Sequence, residues 1–235
     1  MRQQRIELKI PERVRASFSD PDWKACYLAT DDALDIWLHG AVGDEYTETD
    51  SASISRLLAS HRGKPITLRV NSPGGYAYDG VAIYNALLAH DASTTAIIEG
   101  MAGSAASLIV LGCDKVQCHV GAVYQPHYSL INVVGHQADL MEALEVLAVL
   151  DNDLEQLYAS ASGRTIEQVK QDLMGNYGDG TRFSAEAAME AGYVHEIINN
   201  RQARASVPEP SRDTHARAEV KRRQLAMAME KAKRS

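Results

Sequence analysis

An α/β fold with a largely parallel sheet is predicted for this chain by three observations. Short apolar segments alternate with helix-period segments along its first half, glycine and proline punctuate the joints, and 235 residues at 45% hydrophobic content suffice for one sizeable core. Ala33 to Leu38 reads as a strand, Ser51 to Ser60 as a helix and Ile66 to Val70 as a strand. From Asp79 to His90 a helix follows in which Val81, Tyr84, Leu87 and Leu88 share a face. Thr94 to Ile98 is the next strand, Ser104 to Leu111 a helix and Lys115 to Cys118 a strand. This β-α-β alternation implies parallel pairing with helices covering the sheet.

The second half is more helical. From Gln137 to Ser160, Leu140, Leu144, Leu147, Leu150, Leu154 and Leu157 recur at steps of three or four, a leucine stripe on one long helix. Its length suits projection from the domain to meet a second subunit, with packing on its own core as the alternative. Helices are expected at Thr165 to Leu173 and at Ser184 to Ala191, the latter ended by Gly192, and Tyr193 to Ile198 reads as a strand.

Charge and cysteine content narrow the class. After residue 200 there are ten Lys/Arg against four Asp/Glu; before it, 14 against 27. The body is acidic and the tail basic. The organisation expected is an N-terminal segment 1–32, a domain over 33–200 and a tail over 201–235, in which Pro208 and Pro210 break the chain before an Ala-rich helix-forming stretch at Arg217 to Ala226. The tail reads first as a solvated extension, with docking on an acidic partner or nucleic acid as the alternative. Cys26, Cys113 and Cys118 form neither a disulfide framework nor a zinc motif, so a reducing compartment, the cytoplasm, is expected. The N-terminus lacks a continuous apolar stretch and no segment reaches membrane-spanning length, which argues against secretion and membrane insertion. Neither cofactor nor metal is expected.

Two motifs carry chemistry. Val70-Asn71-Ser72-Pro73-Gly74-Gly75 is a Pro-Gly-Gly turn after an apolar strand, able to bare backbone N–H groups to an oxyanion. Gly100-Met101-Ala102-Gly103-Ser104-Ala105-Ala106-Ser107 opens a helix with a serine among small residues that leave room for a carbonyl. Taken alone, such a serine is more often a packing residue; the glycine turn favours a nucleophile. Ser107, one helical turn on, lies deeper and is the weaker candidate. A base must accompany the serine. Among eight histidines, His127, just after a strand that should border the Ser104 helix, is the best placed. For an orienting carboxylate, Asp179 sits in the Gly-flanked turn Gly178-Asp179-Gly180, where turn geometry alone is an equally good reason for an aspartate.

These motifs, with a histidine 23 residues after the serine and the Phe183-to-Ile197 ending, resemble the proteolytic subunit family of the Clp proteases, and within it the phage head maturation proteases. The similarity covers residues 33–198, and the 29-residue separation of Gly75 from Ser104 is its most specific feature. It implies the ClpP/crotonase fold, a spiral of ββα units with a projecting handle helix, here Gln137–Ser160. It further implies Ser104 as nucleophile, His127 as base, Asp179 as orienting acid, and the N–H groups of Gly75 and Ala105 as the oxyanion hole. A ring-forming homo-oligomer, including stacked rings, is implied as well, with a protein substrate such as a capsid or scaffold protein. A Clp-type ATPase is the family's usual partner, though nothing in the chain indicates one.

The chain departs from the family's His-x-Pro, since Pro126 precedes His127. Matching Tyr124-Gln125-Pro126 to that motif would put a tyrosine at the base position and leave an inactive scaffold. Strict matching of the ending puts the acid at Gly180, with Asp172 in reserve. A crotonase-type acyl-CoA enzyme and a Ser-Lys peptidase using Lys115 share parts of the pattern.

Overall fold

The computed structural model describes residues 27–43, 49–175 and 178–199; the expectations for the N-terminal segment before residue 27 and for the tail lie outside them. Among the described residues eight strands form one sheet: β1 (Tyr27–Ala29), β2 (Leu34–Val42), β3 (Ile66–Gly75), β4 (Thr94–Gly103), β5 (Lys115–His119), β6 (Val123–Gln125), β7 (Phe183–Ser184) and β8 (Glu196–Ile198). The described helices are α1 (Ser51–Ser60), α2 (Ala77–Leu88), α3 (Ala105–Val110), α4 (Gln137–Ser162), α5 (Ile166–Met174) and α6 (Ala185–Glu190). The sheet runs β1-β2-β3-β4-β5-β8, with every neighbouring pair from β2 onward parallel. This is the α/β architecture of the ClpP fold.

Alternation explains the layering. Leu34, Ile36 and Leu38 of β2, Ile66, Leu68 and Val70 of β3, and Ala96 and Ile98 of β4 are all buried on one face. Against them lie Ile54, Leu57 and Leu58 of α1, Ile83, Tyr84 and Leu87 of α2, and Leu108, Ile109 and Val110 of α3. Each such fully buried aliphatic contributes on the order of 1.5–3 kcal/mol. The opposite face carries half-buried polar residues. Glu99 accepts from Arg69 at 3.1 Å and meets His39 at 3.2 Å, while the Arg69 guanidinium lies 5.9 Å from the centre of the Trp37 ring.

The strand β4 is longer than its sequence suggests because it has two successive partners. Thr95 to Ile98 pairs with β5, and Met101 to Gly103 pairs with β6, so the backbone stays extended through Glu99-Gly100 and up to Ser104. β6 in turn pairs antiparallel with β7, drawing the Phe183 segment under the end of β4. An aromatic cluster fills this corner. Tyr193 stacks on Tyr124 at 4.8 Å and meets Tyr158 and Phe183 edge-on at 6.3 and 5.6 Å. The leucine stripe divides along α4: Leu154 and Leu157 pack on the core, whereas Leu140 and Leu144 are exposed.

Candidate active site

The end of β4 and the start of α3 place Ser104 on an abrupt strand-to-helix turn. Its φ of 51° and ψ of −128° make it the one non-glycine residue with positive φ among the described residues. Such a conformation costs about 1–3 kcal/mol and persists only where the surroundings enforce it. They do so here. The Ser104 N–H donates to the Gln125 carbonyl at 2.8 Å, and its carbonyl accepts from the N–H and the hydroxyl of Ser107 at 2.9 and 2.6 Å. Small residues make the turn possible: a Cβ on Gly80 would stand 2.8 Å from that of Ala105, and one on Gly103 would stand 3.0 Å from the Pro73 carbonyl oxygen.

The glycine turn faces this serine directly. Gly74 has φ of +97°, and a Cβ there would collide with the Ser104 Cβ and stand 2.9 Å from the Ala105 nitrogen. The buried Ser72 hydroxyl accepts the Gly74 N–H at 3.1 Å, and Gly75 lies flat against the Val42 backbone, where a side chain has no room. Ala105 is the first residue of α3, so its N–H has no acceptor within the helix.

The loops of the other candidates also meet. After β6, Pro126 and His127 run beside the turn 178–182, where the Gly180 Cβ position is only 2.7 Å from the His127 Cβ and would overlap the Pro126 carbonyl. Gln125 joins all three segments. Its backbone holds Ser104, its side-chain amide donates to the Asp179 carbonyl at 2.7 Å, and its amide oxygen accepts from Arg182 at 3.3 Å. The His127 Nδ1 lies 2.6 Å from the Tyr128 carbonyl, which can only accept, so Nδ1 carries the proton and Nε2 is the accepting nitrogen of the neutral ring.

Among the described residues no hydrogen bond joins the Ser104 hydroxyl to the imidazole of His127, or that imidazole to the Asp179 carboxylate. The loops are adjacent; the three side chains are not linked. The other candidates are otherwise engaged. Tyr124 is fully buried, with its hydroxyl donating to the Ser107 carbonyl at 3.0 Å and burial raising its pKa well above the usual range. Gly180 has no space for a carboxylate. Asp172 is held by Arg164 at 2.7 Å and by the Tyr193 hydroxyl at 2.7 Å. Lys115 pairs with Glu196 and sits in register with Thr95, about 30 Å along β4 from Ser104 at the usual rise per residue, out of reach of a Ser-Lys mechanism.

Sequence reasoning missed Gln125 and Tyr158, whose hydroxyl lies 2.7 Å from that of Ser107. A polar residue in the apolar run before Pro126 was the available signal for the first. The second, a tyrosine inside a leucine-rich helix, carries no local signal.

A parallel sheet covered by helices, with a glycine turn laid against a strained strand-to-helix serine, defines the class: an α/β protein of the ClpP/crotonase type. The chain belongs to the Clp protease family, whose model matches residues 19–201. It is 31% identical over 166 residues to the ATP-dependent Clp protease proteolytic subunit 1 of Mycobacterium bovis, covering 69% of this chain and 80% of that one. It is 30% identical to subunit 2 of Tropheryma whipplei, over 69% and 89% of the two chains, and 25% identical to subunit 1 of Salinibacter ruber, over 70% of each. Among the described residues no helix is long and apolar enough to cross a membrane.

Proposed function

We propose that the chain is a serine endopeptidase of the Clp type, with Ser104 as nucleophile, His127 as general base and the N–H groups of Gly75 and Ala105 as oxyanion donors. The observation that carries this reading is the strained Ser104 turn, φ 51°, packed against Gly74 with the Ala105 N–H beside it. Backbone strain of this kind clusters at active sites, where it holds a group in place before reaction. In the mechanism, Nε2 of His127 takes the Ser104 proton as the hydroxyl oxygen attacks a peptide carbonyl. The oxyanion is held by the two N–H groups, and the peptide C–N bond breaks as Nε2 returns the proton to the leaving amine. Water, deprotonated by the same nitrogen, then releases the acyl group and restores the serine.

The orienting role has two candidates. Asp179 fills it if the 178–182 turn presents its carboxylate to Nδ1; otherwise the Tyr128 carbonyl, already bonded to Nδ1, holds the tautomer. Asp179→Ala discriminates: a loss in kcat of a hundredfold or more assigns the carboxylate, and a change under threefold assigns the carbonyl.

The substrate is taken to be polypeptide, and the working form a cytoplasmic homo-oligomeric ring that meets a second ring through the exposed first half of α4. The narrower substrate, a capsid or scaffold protein processed during phage head maturation, rests on the motif resemblance alone. The names of the bacterial relatives bring an ATP-dependent partner into the proposal instead. Incubation with an unfolded model protein and with a candidate capsid protein, read by mass spectrometry, separates the two substrates.

The deciding experiment compares wild type with Ser104→Ala for peptide cleavage and fluorophosphonate labelling. Cleavage and labelling by wild type alone are expected. A second reading, an assembly scaffold without catalysis, is favoured by the missing bonds among Ser104, His127 and Asp179; a ring that forms but neither labels nor cleaves establishes it. A crotonase-type acyl-CoA enzyme would turn over acyl-CoA without any label on Ser104.

A further inference from the structure

We propose that Tyr158 of α4 is a positioning residue for the nucleophile, acting through Ser107 on the backbone of Ser104. The inference rests on the reading of Ser104 as the reacting serine and extends it to a side chain 54 residues away in the sequence.

A buried chain of three groups carries it. The Ser107 hydroxyl lies 2.6 Å from the Ser104 carbonyl oxygen and 2.7 Å from the Tyr158 hydroxyl. Proton accounting fixes every direction. A carbonyl can only accept, so the single Ser107 proton goes to Ser104, and the Tyr158 hydroxyl must then donate to the Ser107 oxygen. Ser107 and Tyr158 are both cut off from solvent, so no water substitutes for a lost partner without rearrangement. Burial raises the Tyr158 pKa, which keeps the donor protonated throughout the working pH range. The Ser107 carbonyl is itself held by the Tyr124 hydroxyl at 3.0 Å, so two tyrosines from different elements fix this one residue.

The consequence lies at Ser104. Its N–H is pinned by Gln125, and its carbonyl by the Ser107 N–H and hydroxyl, and these bonds bracket the φ and ψ that no ordinary residue adopts unaided. With Tyr158 in place the Ser107 hydroxyl has one available orientation. Without it the Ser107 oxygen loses its donor where no water replaces it, its bond to the Ser104 carbonyl weakens, and the turn is freer to relax away from attack geometry. Misplacement of about 1 Å in a reacting group costs up to a hundredfold in rate. Substrate contacts are untouched, so the loss belongs in kcat and not in KM.

The test is the rate of fluorophosphonate labelling of Ser104, with kcat and KM for a peptide, in full-length wild type, Tyr158→Phe, Ser107→Ala and the double variant. Tyr158→Phe is expected to lower labelling and kcat about tenfold at unchanged KM, and Ser107→Ala by more. The double variant should be no worse than Ser107→Ala, because Tyr158 acts only through that hydroxyl. Tyr193→Phe, which removes a buried hydroxyl directed at Asp172, serves as the stability control: it should lower Tm while leaving labelling within twofold. Equal labelling by wild type and Tyr158→Phe, or additive losses in the double variant, would overturn the proposal. Should Tyr158→Phe fail to fold, wild-type labelling retained by Ser107→Ala overturns it equally. A wild type that never labels removes the reading of Ser104 itself, an outcome distinct from either.

Discussion

At the scale of single residues, the site depends on glycines more than on charged groups. Gly74 combines a φ of +97° with direct contact against Ser104, so Gly74→Ala meets two costs at once: left-handed backbone strain and a methyl forced into the nucleophile turn. A destabilisation of about 2–4 kcal/mol is expected from strain and overpacking together, measured by chemical denaturation, with labelling of Ser104 reduced at least tenfold. Gly121 is the control. Its φ is +89° but nothing lies within 4 Å of its Cβ position, so Gly121→Ala should cost only about 1–2 kcal/mol and leave labelling intact. Both motifs, the Pro-Gly-Gly turn and the Gly-flanked serine, were legible in the sequence because glycine advertises backbone geometry directly. What joins them was not. Gln125 and Tyr158 act through contacts between elements distant in the chain, and nothing in a local pattern encodes that the Tyr158 hydroxyl reaches Ser107.

At the scale of elements, the long alternating segments were readable, and the short ones were not. The helix over Ser51–Ser60 and the strand beginning at Ile66 follow from periodicity, whereas β6 and β7, three and two residues long, hold no period at all and exist only because β4 offers an edge beyond its pairing with β5. The same reason explains why Thr94–Gly103 outruns the strand expected to stop at Ile98. The α5 helix shows how tertiary context reassigns a residue: Asp172, a reserve acid by sequence, is buried by α5 packing and neutralised by Arg164, which meets both carboxylate oxygens while Tyr193 donates to Oδ2. That acceptor, after burial itself, also raises the Tyr193 pKa. Asp172→Asn should leave the partly buried Arg164 guanidinium without its counter-charge, and is expected to cost about 2 kcal/mol by urea denaturation. Because Asp172 touches neither Ser104 nor His127, kcat at temperatures well below the lowered Tm should stay within a factor of two of wild type.

At the scale of the whole molecule, α4 is out of balance with a solitary subunit. Its 26 residues span about 39 Å at the helical rise, and in the first half Ala143 alone is buried. Leu140, Met141, Leu144, Val146 and Val149 are exposed, Leu144 by 66% and Val149 by 64%. Apolar side chains at these spacings cover much of the helix circumference, which water does not reward and a helix from a second copy would. If the copies meet about a twofold axis, each substitution is presented twice at one interface. Burying one such side chain contributes on the order of 1.5–3 kcal/mol, so Leu144→Glu should weaken each contact by at least 3 kcal/mol, more than a hundredfold in the dissociation constant, before the cost of burying the carboxylate is added. Sedimentation velocity is expected to show the wild-type assembly replaced by smaller species in Leu144→Glu, while the far-ultraviolet spectrum stays unchanged because Leu144 contributes little to the subunit's own core. An unaltered sedimentation profile would place the contact elsewhere and leave the exposed leucines unexplained. Labelling of Ser104 in the dissociated variant then carries a second answer: a retained rate means that one subunit builds its own nucleophile turn through Gln125, Ser107 and Tyr158, and a lost rate means that the turn needs a neighbour to hold it.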